Sequence, residues 1–395
     1  MELTQKQQQG VEIAVKRYKE GKKFTIISGY AGTGKSTTVR YIVKALGVPE
    51  NKICYATFTG KAAQVLSQKG NKNAMTLHRL LFESKLLPDG SFLRTPKASI
   101  EYDIVIVDEI SMAPKSLIDS LIYKYPNVYM IGLGDPGQLP PISDSENNHL
   151  LDNPHIFLDE IMRQAEDSEI IKISMDIRNG LPLTCFDGNQ VKIINKQDLN
   201  TGMLEWADQI LCATNNTRHS INMQMRQLKG IEGKYPTIGD KVICTKNYWD
   251  IANEKDDALV NGTIGYLDGN ISVHTTVFPH WLKLENSRVE KFYSNLKTEF
   301  GNFNFLDLDK EMFVTGKPTL DNKTEYKIYK TKYRNSIPLR FEYGYAITVW
   351  KAQGSQFNNV LVFEENFPFD KEEHKKYLYT AITRAIDKCI IVKNS

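Results

Sequence analysis

The sequence predicts an α/β protein with two parallel-sheet regions and a β-rich insertion in the second. Three observations carry this. Apolar strands alternate with helical patterns through residues 24–133, as in a parallel sheet with right-handed crossovers. The same texture restarts at Gln209-Ile210-Leu211-Cys212 and returns over residues 345–392. Between them, residues 239–338 carry short β-like runs, turn pairs such as Asn261-Gly262 and Asp268-Gly269, and no dominant helical period.

Composition bounds the answer without naming it. A chain of 395 residues, 41% hydrophobic and 25% charged, has room for two or more domains. The formal net charge of +3 means that any basic surface is local. The five cysteines, Cys54, Cys185, Cys212, Cys244 and Cys389, have neither metal-ligand spacing nor a disulfide rhythm, so a reduced, cytoplasmic setting is expected. No apolar run is long enough for a membrane span, and Met1-Glu2-Leu3-Thr4-Gln5 is not the start of a signal peptide.

Residues 4–18 form the first expected helix. Thr4-Gln5-Lys6-Gln7 fits a capping box; Gln7 serves either that box or a nucleotide base. The strand Phe24-Thr25-Ile26-Ile27-Ser28 then enters Gly29-Tyr30-Ala31-Gly32-Thr33-Gly34-Lys35-Ser36, and a helical pattern opens at Ser36. This is the P-loop spacing in its strand–loop–helix context. Its glycines let successive N–H groups turn onto phosphate oxygens, and the helix aims its positive end at the same anion. Lys35 is placed for the β- and γ-phosphates and Ser36 for Mg²⁺, while Gly32, Thr33, Gly34 and Thr37 complete the cradle.

A second strand over residues 52–56 leads through Thr57-Phe58-Thr59 into a helix ending near residue 67, and a short helix follows at 76–81. Residues 85–94 read either as a hairpin around Pro88-Asp89-Gly90 or as a connecting loop. The sheet resumes with Asp103-Ile104-Val105-Ile106-Val107-Asp108-Glu109. Ligands of open parallel sheets bind at the carboxyl ends of strands, so both acids arrive beside the P-loop. Asp108 suits the Mg²⁺ site and Glu109 the activation of the attacking water. The strand over 128–133 brings Gly134-Asp135-Pro136-Gly137-Gln138 to the same edge, with Gln138 toward the γ-phosphate. Helices are expected over 167–179, 215–228 and 371–383, and strands over 359–363 and 388–392.

Taken in order, these motifs become recognisable. Leu3-Thr4 with Gln7, the P-loop, Thr57 to Ala63, Thr76-Leu77-His78, Asp108-Glu109, Gly134-Asp135 with Gln138-Leu139-Pro140, Glu160 with Arg163, Ala346-Ile347-Thr348 with Lys351-Ala352-Gln353-Gly354, and Tyr379 with Arg384 form one series. The chain resembles superfamily-one DNA helicases of the RecD-like, 5′-to-3′ branch over nearly its whole length, and looks most like the phage members. That resemblance implies two RecA-like motor domains with ATP and Mg²⁺ between them. The first would span residues 1–165, with an inserted pin hairpin at about 83–98. The second would span 166–238 and 338–395, with an SH3-like β-barrel inserted at 239–337.

It further implies a monomeric ATP-dependent DNA helicase of replication, repair or recombination. The partners implied are single-stranded DNA and ss/dsDNA junctions, with replication or single-strand-binding proteins beside them, and no membrane. Arg163 and Arg384 match the family's arginines facing the cleft. Thr57, Thr59 and His78 match its DNA path on the first motor domain, and Thr348 and Lys351 on the second; Phe58, Phe92 and Trp350 add base-stacking faces where they face the groove. For Phe58 and Trp350 ordinary burial stays open as the other reading. Relatives carry His where this chain has Trp350, and Pro where it has Phe58. A translocase that displaces bound proteins without separating strands is the alternative.

Overall fold

A computed structural model describes residues 3–86, 92–140, 147–162, 167–284, 287–365 and 370–394. By their contacts the residues fall into two compact units. One holds residues 1–81, 97–215 and 347–395; the other holds 82–96 and 216–346.

The first unit contains two six-stranded sheets. Its first sheet uses β1 (Phe24–Gly29), β2 (Ile53–Thr57) and β3 (Ala74–Thr76). After a hairpin of β4 (Phe82–Leu86) and β5 (Phe92–Pro96), it adds β6 (Ile104–Val107), β7 (Tyr129–Gly134) and β8 (Ile156–Leu158). The order is β3-β2-β6-β7-β1-β8, with parallel pairing throughout. Helices α1 (Gln5–Lys19), α2 (Lys35–Leu46), α3 (Gly60–Gln68), α4 (Leu77–Leu81) and α5 (Lys115–Lys124) connect the strands. Every residue of β6 and β7 is buried, which is why these strands read as unbroken apolar runs. Ile27, Val39, Ile42, Ile106, Ile131 and Leu133 share one core. Because β6 and β7 neighbour β1 in parallel, the segments after all three strands emerge at one edge.

Where the hairpin leaves α4, the chain ends are tied down. The Tyr125 hydroxyl donates to the carbonyls of Leu81 (3.0 Å) and Lys97 (2.9 Å), and Lys97 N–H donates to Leu81 O (2.9 Å). Residues 87–91, the turn of the expected hairpin, lie outside the described residues.

The chain continues through α6 (Glu169–Arg178), β9 (Phe186–Asp187), β10 (Val191–Asn195), α7 (Thr201–Trp206), β11 (Gln209–Cys212) and α8 (Asn215–Leu228) into the second unit. There β12 (Lys241–Cys244), the pair β13 (Tyr248–Ala252) and β14 (Ala258–Leu259), then β15 (Ile264–Val277), β16 (Arg288–Thr298), β17 (Gly301–Asp309) and β18 (Phe341–Tyr343) follow. The five-stranded antiparallel sheet runs β17-β16-β15-β12-β18 around Val242, Leu267, Phe292, Leu296, Phe303 and Phe341. Two short helices, α9 (Lys310–Thr315) and α10 (Asn322–Tyr329), interrupt the expected all-β texture. Helices this short lack a readable period and are held by packing, here through buried Met312, Phe313, Tyr326 and Ile328. A buried ion pair also anchors this unit. Arg226 Nε donates to both Asp240 oxygens (3.0 and 3.2 Å), with the pair 1% and 0% exposed.

The chain then returns to the first unit with β19 (Ala346–Thr348), α11 (Val349–Ala352), β20 (Phe357–Phe363), α12 (Lys371–Ile382) and β21 (Ala385–Lys393). These complete the second sheet, β19-β11-β20-β21-β10-β9, on which α6 and α12 pack together.

Candidate nucleotide and nucleic-acid site

The P-loop joins β1 to α2. Gly34 is the N-cap of α2 at φ +78°, in the left-handed region that glycine adopts freely. A Cβ there would also fall 2.4 Å from Gln7 Nε2 and 2.5 Å from Met162 Sδ. The Gly32 carbonyl accepts from Met162 N–H (3.0 Å), and Thr33 is buried with its hydroxyl donating to Tyr30 O (2.9 Å). Ser36 is exposed and Thr37 half-buried in the first turn of α2. Lys35 Nζ donates to the Gly29 and Tyr30 carbonyls (2.6 and 3.0 Å) and lies 3.9 Å from Asp135 Oδ2.

Gln7 does two jobs with one amide. Its Oε1 accepts from Thr4 N–H (3.0 Å) and its backbone N–H donates to Thr4 Oγ1 (3.3 Å), forming the capping box of α1. Its Nε2 donates to the Thr33 carbonyl (3.1 Å), so the buried side chain also fixes the P-loop.

The acids after β6 and β7 converge electrically on Lys35. Burial, and then the charge of Glu109, push the Asp108 carboxyl up to about 6, against the pull of the Glu109 N–H and Lys35. The Glu109 N–H donates to Asp108 Oδ1 (3.0 Å). Glu109 itself sits at φ 50°, ψ 47°, a left-handed conformation costing about 1–3 kcal/mol in a residue with a side chain. Asp135 is 1% exposed; burial raises its pKa, while Lys35, the Tyr379 phenol and the Gly137 N–H pull it down. Among the described residues no cluster of three or more His, Cys, Asp or Glu is assembled to hold a metal. Mg²⁺ at a nucleotide is held through one or two protein oxygens, with phosphates and water completing the shell, so Ser36 with Asp108 fits that requirement.

Contacts between the two sheets' lobes gather on the loop after β7. The Tyr379 hydroxyl, from α12, donates to Asp135 Oδ2 (2.7 Å) and accepts from the P-loop N–H of Ala31 (2.8 Å). Leu139 N–H donates to Thr380 Oγ1 (2.9 Å), and Gln353 Nε2 to the Leu139 carbonyl (3.0 Å). Gln138 on this loop is 7% exposed, and its Oε1 has no hydrogen-bond partner among the described residues. A buried polar atom left open in this way marks a place where a ligand or water belongs. Tyr379, Thr380 and Gln353 lie inside the recognised motifs, yet sequence reasoning gave them no role.

The two expected arginines stand differently. Arg163 lies outside the described residues. Arg384, 5% exposed, donates from Nε to Thr380 O (3.1 Å), from Nη2 to Thr383 Oγ1 (3.2 Å) and from Nη1 to Ser355 O (3.5 Å), all within its own lobe. A third cation appears where the sequence reading had none: Arg178, the last residue of α6, lies 3.6 Å above the Tyr30 ring of the P-loop.

The candidate DNA residues fall in two groups. Thr57 is 1% exposed and its hydroxyl donates to Thr59 O (2.9 Å), so it shapes the turn from within. Thr59 caps α3, accepting from Ala62 N–H (3.3 Å). Half-buried Phe58 and His78 have ring centroids 5.9 Å apart. On the second lobe, Thr348 is the N-cap residue of α11, which carries half-buried Trp350 and Lys351. Phe92 opens β5, paired with Leu86.

This geometry defines a two-lobed P-loop protein whose second lobe reaches the nucleotide loop through Tyr379 and Arg178. Comparison with known proteins narrows the class. The AAA domain family matches residues 2–198, and the UvrD-like helicase C-terminal domain family matches residues 343–392. The ATP-dependent DNA helicase dda of Enterobacteria phage T4 is 31% identical over 200 residues, covering 45% of this chain and 43% of its own. The ATP-dependent RecD2 DNA helicase of Deinococcus radiodurans is 27% identical over 397 residues, covering 93% of this chain and 46% of its own. The chain therefore spans less than half the length of these curated relatives. The crystal structure of Pif1 helicase from Bacteroides, in complex with ADP-AlF3 and ssDNA, shares the fold. Its TM-score is 0.53 at 17% identity, with 100% of this chain and 93% of that chain covered. Across both lobes the chain is thus similar to superfamily-one helicases of the RecD/Pif1/Dda type, and it shares the fold of the Pif1 structures with their RecA-like motor domains.

Proposed function

We propose that the chain is an ATP-dependent DNA helicase that moves 5′ to 3′ on single-stranded DNA and separates duplex ahead of it. The observation that carries this is the bonded path from Ala31 through Tyr379 and Asp135, and from Leu139 to Thr380 and Gln353. It joins the nucleotide loop to α11 and α12, so that a change at the phosphates is felt where Thr348, Trp350 and Lys351 would hold DNA.

In this reading Lys35 exchanges its two carbonyl partners for phosphate oxygens. Ser36 and Asp108 would hold Mg²⁺, which would supply positive charge to neutralise the phosphates. Glu109 orients the attacking water, Gln138 offers its open Oε1 near that water, and Arg163 and Arg384 stabilise the charge that develops in transfer. Thr59 and His78 would line the strand on the first lobe, with Phe58 and Trp350 as stacking faces, while buried Thr57 would hold the turn that presents them. The hairpin β4–β5, including Phe92, would be the pin, and residues 239–337 the SH3-like accessory domain.

Unwinding of duplexes with a 5′ or a 3′ single-stranded tail, in DNA and in RNA, tests the reading. Separation of 5′-tailed DNA alone is expected; preference for 3′ tails would overturn the polarity. Shortening residues 87–92 should abolish unwinding and spare DNA-stimulated ATP hydrolysis. Equal loss of both would remove the pin assignment. Protein displacement by a chain that never separates strands would favour the translocase alternative.

A further inference from the structure

We propose that Arg178 is a further phosphate-contacting residue of the nucleotide site, aimed by its stack on Tyr30. The inference rests on the nucleotide-driven reading above and adds a residue to it.

Tyr30 is the second residue of the P-loop, and its ring is braced edge-on by Phe157, with centroids 5.3 Å apart and an interplanar angle of 85°. The Arg178 guanidinium carbon lies 3.6 Å from the Tyr30 centroid. A guanidinium held this close to a ring can keep its N–H edge, with the donors that match phosphate oxygens, for another partner. Among the described residues no hydrogen bond or ion pair takes up that edge. Asp159, a carboxylate that feels Arg178, is ion-paired with Lys6 instead. Arg384, by contrast, spends its donors on acceptors of its own lobe.

Position completes the argument. The residue after Tyr30 is Ala31, whose N–H is held by Tyr379, and Arg178 feels the Tyr379 hydroxyl electrostatically. Arg178 and Tyr379 come from α6 and α12, which pack together on the second sheet. Two side chains of one lobe thus meet adjacent residues of the other lobe's phosphate loop. Arg178 ends its helix, where a cation is stabilised by the helix dipole and still presents its charge outward. A cation so placed fits the phosphate oxygens of a nucleoside triphosphate.

Equilibrium binding of a fluorescent ATP analogue, read beside the melting temperature, tests this. Arg178→Ala should weaken binding about tenfold, and Arg178→Lys should not restore it, because an ammonium lacks the planar fork. Tyr30→Leu, which keeps the charge and removes the platform, should weaken binding in the same direction. Wild-type affinity in Arg178→Ala, with only a lower melting temperature, overturns the proposal and leaves Arg178 a strut between lobes. If Arg178→Ala fails to fold, wild-type affinity in Tyr30→Leu overturns it. Lys35→Ala is the control: if it too binds the analogue normally, the nucleotide reading itself is what has failed.

Discussion

Replacing Tyr379 by Phe deletes one oxygen atom and, with it, two hydrogen bonds. The ring stays, so its share of the apolar core is kept, and it still fills the space that a Cβ on Gly137 would need. The bond accepted from Ala31 is neutral and partly reached by water, worth about 0.5–1 kcal/mol. The bond donated to Asp135 serves a carboxylate 1% exposed, and charge-assisted bonds of this type contribute about 1.5–3 kcal/mol. Asp135 keeps the Gly137 N–H at 2.9 Å and Lys35 at 3.9 Å, so the loss falls short of a fully abandoned charge. The sum is about 2–3 kcal/mol, which for a unit of this size lowers the melting temperature by about 5–10 °C. The loss should also depend on pH. The folded Asp135 carboxyl already binds its proton more tightly than the unfolded chain does, so its ionisation costs stability as pH rises through the folded pKa. Removing the phenol, one of the groups that pull that pKa down, widens the cost. The deficit should therefore grow as pH rises above the ordinary carboxylate range and through the folded pKa of Asp135. Melting curves recorded across a pH series decide it; a shift under about 1 °C throughout would show that the phenol does not carry the link between the lobes.

Glu109→Gln should bind ATP as the wild type does and lose turnover by about 10²–10⁴-fold, read by nucleotide binding beside steady-state hydrolysis; normal turnover would remove Glu109 as the base. Tyr125→Phe removes the phenol's bonds to the Leu81 and Lys97 carbonyls at the root of the hairpin and leaves only the Lys97 N–H bond to Leu81 O, so unwinding should fall more than DNA-stimulated ATP hydrolysis, measured on the same preparation. Arg226→Met leaves Asp240 buried with only Thr237 and Tyr345 as partners and should cost about 3–5 kcal/mol, seen as early denaturant unfolding of the second unit.

What could be read from the sequence was what is local. The P-loop spacing, the apolar runs of β1, β6 and β7 and the cap of α1 each depend on residues within one turn or one strand. Tyr379 was legible only as part of a motif, because its function depends on Asp135, 244 positions away. Arg178 closes an amphipathic helix like any solvated arginine, and only the packing of α6 brings it over Tyr30. Gln7 defeated the choice between cap and site because its two amide atoms serve different partners. Residues 185–208 carried no assignment, although β10 lies inside the second sheet beside β21; its single lysine breaks the apolar run. Thr57 matched a DNA position by motif, yet its burial in the loop turn is a property of backbone geometry.

The two groups of candidate DNA residues meet at Gly354. Its φ is +76°, and a Cβ built there would lie 2.9 Å from Ala62 Cβ and 3.6 Å from Thr59 Oγ1. The turn after α11 can therefore approach the start of α3 only because residue 354 lacks a side chain. Gln353, one position earlier, is bonded to Leu139, so the same turn is tied to the loop that carries Asp135 and Gln138. Gly354→Ala meets two obstacles, a left-handed backbone costing about 1–2 kcal/mol and a carbon–carbon clash. The pairing Gly354→Ala with Ala62→Gly separates them, since it removes the clash and keeps the backbone cost. If the close approach serves DNA binding, Gly354→Ala should weaken single-strand affinity about tenfold, and Ala62→Gly should recover most of that loss. Affinity unchanged in Gly354→Ala would mean that the contact only packs the lobes. Affinity lost but not recovered by Ala62→Gly would assign the effect to the backbone of the turn, and with it to the path through Gln353 and Leu139.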